Sequence, residues 1–189
     1  LTSLVAAPLT RRLNHVELVY APGERGLATR ALELLGCRVE DMGGPFLTAY
    51  VGENEHDIAN NVLYASEVTA EQWAFEKDLS AMLAANGPLA ETARAYLERL
   101  RDEPQRSCHF GLRFASEDSY EQVLERLRNV AVTDPELGER LTLSGVFRPG
   151  DPGAYSKIMI QAFVRTDVLA SGLLSMGQHF ELQWQLPRS

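Results

Sequence analysis

The sequence predicts an α+β protein of two βαβββ modules, with a helical pair inserted between them. Three observations predict it. A strand-like segment carrying a histidine opens each half of the chain, an amphipathic helix follows each at matching spacing, and strand-like segments follow each helix. The predicted spans are 11–70 for the first module, 71–104 for the helical pair and 105–187 for the second module. With 189 residues the chain is long enough to bury a sizeable core.

The first module opens with Leu13-Asn14-His15-Val16-Glu17-Leu18-Val19-Tyr20, where apolar and polar residues largely alternate as a half-buried strand requires. Pro22 and Gly23 end that strand. Leu27, Ala31, Leu34 and Leu35 then fall on one face of a helix, and Gly36 is a C-terminal cap for it. Cys37 to Met42, Phe46 to Val51 and about Val62 to Val68 read as strands, punctuated by Gly43-Gly44-Pro45 and by the polar run Gly52 to Asp57.

Thr69 and Gln72 form a capping box before the first inserted helix, in which Phe75, Leu79, Met82 and Leu83 share a face. Gly87-Pro88 breaks the helix and restarts it. Leu89, Ala93, Tyr96, Leu97 and Leu100 make the second stripe, and Pro104 ends it. The plain reading of the pair is a packed amphipathic linker; because it is longer than a tether needs to be, the sharper reading is that it covers something, its own chain as a lid or a second copy.

The second module opens with Ser107-Cys108-His109-Phe110-Gly111-Leu112-Arg113-Phe114. Ser116 caps a helix bearing Tyr120, Val123, Leu124 and Leu127. Tyr120, Leu124 and Leu127 keep the mutual spacing of Leu27, Ala31 and Leu34, one residue closer to the leading histidine. Arg140 to Phe147, Tyr155 to Val164 and Gln178 to Gln185 complete the set of strands.

Composition excludes several function classes. The net charge of -8, with arginines scattered along the chain, disfavours nucleic acid and anionic membranes as partners. No apolar run reaches membrane-spanning length, and Leu4 to Leu9 is too short, and too broken by Pro8, to read as a signal peptide. Cys37 and Cys108 form no CxxC pair and read as free thiols of a soluble, cytoplasmic protein. Cys108 is expected to be buried and inert, and His56 to be a solvated loop residue. The glycine-rich turns match no phosphate-binding pattern.

The chemistry lies in the histidines. His15 and His109 occupy matching places in the two leading strands, and Gly177-Gln178-His179-Phe180-Glu181-Leu182-Gln183-Trp184 places His179 and Glu181 on one face of the last strand. Two modules packed about a pseudo-twofold axis bring the matching histidines together, and a carboxylate from the last strand completes a two-His, one-carboxylate set. Such a set binds a borderline divalent ion and leaves coordination positions open. A shift of register makes His179 the ligand instead. Tyr50, Tyr64 and Tyr155, read as strand residues, are candidates to donate a proton to a substrate oxygen.

Leu-Asn-His-Val-Glu-Leu at the start, Cys-His-Phe-Gly-Leu-Arg-Phe in the second half and His-Phe-Glu-Leu near the end resemble the metal-bearing strands of the vicinal oxygen chelate superfamily, which includes glyoxalases, bleomycin resistance proteins and extradiol dioxygenases. The resemblance spans the chain except about residues 70–104. It implies a mixed sheet curled into a cup around one divalent metal ion (Fe, Mn, Zn, Ni or Co) held by His15, His109 and Glu181. At the place of the fourth ligand of glyoxalase and epimerase members, only Glu67 is a strong ligand type. Extradiol members carry an Asp-Pro-x-Gly turn where this chain reads Arg165 to Gly172 without the proline. The resemblance implies a metal-dependent enzyme that chelates two neighbouring oxygens of a small oxygen-rich substrate. Extradiol ring cleavage is the first concrete reaction, followed by lyase or isomerase chemistry, and a metal-free small-molecule binding module is the alternative class. A homodimer is the expected assembly.

Overall fold

A computed structural model describes residues 13–187 other than 53 and 59. Leu4 to Leu9 and the first two residues of the predicted 11–70 span lie outside the described residues. The first module runs β1 (His15–Tyr20), α1 (Arg25–Leu34), β2 (Arg38–Glu40), β3 (Phe46–Tyr50) and β4 (Val62–Glu67). Helices α2 (Ala70–Ala84) and α3 (Pro88–Asp102) follow. The second module runs β5 (His109–Arg113), α4 (Glu117–Arg128), α5 (Val130–Thr133), α6 (Pro135–Arg140), β6 (Leu141–Phe147), β7 (Met159–Thr166) and β8 (Gln178–Gln185).

The two modules have the same topology. One sheet is ordered β1-β4-β3-β2 and the other β5-β8-β7-β6, with the leading strand parallel to the last and the other pairs antiparallel. Alternation along the strands puts Leu18, Tyr20, Leu47, Ala49, Leu63 and Ala65 of one sheet, and Leu112, Ile160, Ala162, Val164, Phe180 and Leu182 of the other, into a single apolar core with α1 and α4. The opposite face of each sheet is free for polar work. A backbone bridge between Val19 and Ala170 ties β1 to the β7–β8 connection. Arg140 adds to the junction by pairing with Glu24 of the first module and Asp167 of the second.

Local signals explain most boundaries. Gly36 sits at φ +95°, and the Cys37 and Gly36 amides reach the Leu32 and Glu33 carbonyls, so α1 closes in a Schellman motif. Ser116 accepts from the Ser119 amide at 3.1 Å and starts α4. Thr69 accepts from the Gln72 amide at 3.2 Å. The expected return bond of the capping box is absent among the described residues, because the Gln72 side chain instead donates to the Gly172 carbonyl at 3.2 Å.

Three expectations change. Helices α5 and α6 fill the stretch before β6, where Asp134 accepts from the Leu137 amide and Pro135 sits at the first helical position. The strand expected from Tyr155 starts only at Met159, because the Ser156 hydroxyl captures the Ile158 and Met159 amides in a local turn. The apolar stripe of α2 is not buried as a unit: Phe75 and Met82 are 54% and 56% exposed, and the one buried side chain of that helix is Glu76.

Candidate metal and substrate site

The polar face of the second sheet gathers His109, His179, Glu181 and Arg165. The register sets His109 beside His179 and His179 beside Arg165, then Gly111 beside Glu181 and Glu181 beside Phe163. Glu181 is 4% exposed. One of its oxygens lies 3.2 Å from His109 Nε2, and the other accepts from the Gln161 amide nitrogen. Gly111 makes room for this: a methyl group there would meet Gln183 Nε2 at 3.0 Å and Glu181 Oε2 at 3.4 Å. Phe163 walls the pair, edge-on to His109 at 5.3 Å between ring centroids.

The tautomer of His109 follows from its other nitrogen. Nδ1 lies 2.9 Å from the Ser107 carbonyl, which only accepts, so Nδ1 carries the proton. In the neutral ring the Nε2 lone pair then faces a carboxylate oxygen in a buried setting. Two lone pairs at that distance require a positive charge between them, supplied by a proton or a metal ion. An imidazole fixed in this way by a backbone carbonyl is the usual support of a metal-ligating histidine.

The third expected ligand is not gathered with them. His15 lies on β1, half exposed, with Nε2 3.9 Å from Glu17 and its ring 5.6 Å from that of Tyr64. Among the described residues no three His, Cys, Asp or Glu side chains stand close enough to hold a metal ion. His15 and Gly111 do line one cavity of about 120 Å³ between β1 and β5, so His15 opens toward the strand that adjoins Glu181. The donor chemistry of His109 and Glu181 suits a divalent ion, while His15 lines a neighbouring cavity whose lining includes neither of them.

The repeat locates the remaining candidates. His15 pairs with Val62 as His109 pairs with His179, and Glu17 pairs with Tyr64 as Gly111 pairs with Glu181. The first-module counterpart of Glu181 is therefore Tyr64, whose hydroxyl donates to the Ile58 carbonyl at 2.7 Å. Glu67 falls on the other face of β4 and accepts from the Gly23 amide at 2.9 Å, away from the polar face. Tyr50 is buried, with the Arg38 guanidinium 4.2 Å above its ring. Tyr155 is 64% exposed in the turn before β7.

His179 is 3% exposed, and a bulge in β6 brings the Ser144 hydroxyl within 3.2 Å of its Nε2. Burial first, then the charges of Arg165 and His109, push its pKa down to about 4, so at neutral pH it is a neutral hydrogen-bonding group. His56 is exposed in its loop, as expected, with Nδ1 3.2 Å from Arg38. Cys37 is buried, whereas Cys108 is exposed and not the buried thiol expected of it: it precedes β5, so strand alternation does not govern its direction.

Sequence reasoning missed Gln161, Ser144 and Arg165. The first lies on a strand whose start was misplaced, and the second owes its position to a bulge.

No family model matches the chain, and no curated protein matches it. Among solved structures it is similar to one described as the oxidase ChaP-H2, at 17% identity over 96% of this chain and 98% of the other, with a TM-score of 0.44. It is also similar to a hypothetical protein, SA1046 from S. aureus, at 9% identity over 93% and 94%, with a TM-score of 0.39. Among the described residues no helix is long and apolar enough to cross a membrane.

Proposed function

We propose that the chain is a divalent-metal-dependent enzyme of the vicinal oxygen chelate type, with His109, Glu181 and His15 as ligands. The observation that carries this reading is the His109–Glu181 contact: a buried carboxylate faces the free nitrogen of an imidazole whose other nitrogen is tied to a backbone carbonyl. The repeated βαβββ topology and the equivalent placing of His15 and His109 support it. The cup-shaped surround belongs to the same proposal.

A bound divalent ion would polarise two neighbouring oxygens of a small substrate and, if it were iron, allow reaction with dioxygen. The protein's own residues do the rest. Gln161 holds the Glu181 carboxylate by donating to one oxygen, leaving the other toward His109. Phe163 and Phe147 exclude water from that side. His179 and Ser144 form a neutral hydrogen-bonded pair on the same face, next to Glu181 along β8.

Tyr64 stands where a fourth carboxylate or amide ligand would otherwise be, and a bare two-His, one-carboxylate set suits Fe(II). Ring-cleaving dioxygenation of a catechol-like compound is therefore the first reaction to test, and glyoxalase-like lyase or isomerase chemistry the second. Protein reconstituted anaerobically with Fe(II) is expected to consume dioxygen when given a panel of catechols and to form a coloured ring-opened product. Catechol binding that is unchanged by a chelator, with no dioxygen uptake, would replace the enzyme by a metal-free binding module.

A further inference from the structure

The polar face of the second sheet continues past the His109–Glu181 contact. Arg165 lies two strands from His109 in the same row, a separation of roughly 10 Å at ordinary strand spacing. Helix α3 crosses over this part of the sheet and encloses a cavity of about 270 Å³ with it. Arg94, Leu97 and Arg101 line the cavity from the helix, and Thr142, Ser144 and Arg165 from the sheet. Glu98 is the one carboxylate among the described lining residues.

Three guanidiniums around one cavity are unexpected in a chain of net charge -8. Four other arginines, Arg25, Arg30, Arg140 and Arg148, each meet a carboxylate at 2.5 to 2.7 Å. Arg165 is half-buried, and its one hydrogen bond among the described residues goes to the Met176 carbonyl at 3.0 Å. Arg94 has no ion pair among the described residues, and Arg101 reaches only its neighbour Asp102, at 3.6 Å. Arg165 is half-buried without a carboxylate partner among the described residues, while Arg94 and Arg101 are exposed, so the three guanidiniums make a locally positive cleft that favours an anion. Guanidiniums are the side chains best shaped to grip the paired oxygens of a carboxylate or phosphate, and the hydroxyls of Ser144 and Thr142 add donors.

We propose that this cavity binds an oxyanion group, carboxylate or phosphate, carried by the small molecule on which the protein acts, with Arg165, Arg94 and Arg101 as its recognising residues. Calling that molecule the substrate rests on the proposed function; the anion site itself does not. The substrate then carries its charge about 10 Å from the end that meets His109 and Glu181, a ring and a short side chain apart.

Calorimetric titration with phenylpropionate, phenyl phosphate and the neutral phenylpropanamide tests this. One of the two anions is expected to bind at least about tenfold more tightly than the amide, and the tighter of the two identifies the oxyanion. Arg165→Gln, and separately the exposed pair Arg94→Gln with Arg101→Gln, should each weaken that anion at least about tenfold. The exposed pair keeps the test decisive if Arg165→Gln fails to fold. His109→Ala with Glu181→Gln should leave anion binding in place. Equal binding of anions and amide, or unchanged binding in the exposed pair, overturns the proposal. Anion binding without metal uptake overturns the proposed function alone, and metal uptake and turnover without anion preference overturns this inference alone.

Discussion

Glu76 shows how a single buried carboxylate can set the geometry around it. It is 1% exposed and accepts from the Leu174 amide at 2.8 Å and the Ser175 amide at 3.0 Å, fixing the turn that leads into β8. Burial by itself would raise its pKa, but hydrogen bonding from Ser175, then Leu174 and Gln72, outweighs that and holds it below the ordinary carboxyl value. A lowered folded-state pKa means that its stabilisation is complete above about pH 4.5 and is lost as pH falls through the folded value. Glu76→Gln is expected to cost about 1–3 kcal/mol at pH 7 and less at pH 3.5, which lies below the unfolded-state value, so that folding of the wild type must then strip a proton from this carboxyl. Denaturant titrations at the two pH values check this, and an equal cost at both would contradict it. The helical pattern alone did not reveal this residue. Glu76 looks like any surface acid on an amphipathic helix, and only the backbone amides of a segment almost a hundred residues away make it a core group.

At the scale of elements, both modules were legible because each strand and helix is short, alternating and punctuated by Gly, Pro or a capping Ser. Gly36, Ser116 and the Gly87-Pro88 break all act as their residue types require. What stayed hidden depended on local competition or on distant partners. The Ser156 turn shortened β7 at its start, and the bulge between Leu143 and Gly145 turned Ser144 toward His179. For α3, the expected choice between lid and dimer element gains a structural frame. Leu97 and Leu100 line the cavities between this helix and the second sheet, while Leu89 and Tyr96 are each about half exposed. Leu97→Asp with Leu100→Asp is therefore expected to lower stability by about 2–4 kcal/mol and leave molecular mass unchanged. Light scattering beside a thermal melt reads both quantities. A halved mass with an unaltered melt would instead make this stripe the seam of the homodimer expected from the sequence.

Across the whole molecule, one apolar core joins two copies of the same topology, and the repeat that builds the fold also sets His15 and His109 at equivalent positions. His109 and its counterpart His15 stand at the start of equivalent strands, and the cleft between β1 and β5 is lined by His15 and Asn14 on one side and by Phe110, Gly111 and Leu112 on the other. That His179 and Glu181 share a face was legible in the spacing of the sequence, because strand alternation fixes it; that Glu181 reaches His109 depends on the register of β8 against β5. The distance from His15 to His109 and Glu181 was not legible, since it depends on how one module sits against the other. The central claim is that the buried His109–Glu181 contact is completed by a divalent ion. Elemental analysis of the purified protein, after loading with each metal in turn and removal of excess, tests it most directly. The account predicts one tightly held ion per chain in the wild type, none in His109→Ala or Glu181→Ala, and loss again in His15→Ala. Full occupancy in the His109→Ala and Glu181→Ala variants, or a folded wild type that takes up no metal, would contradict it.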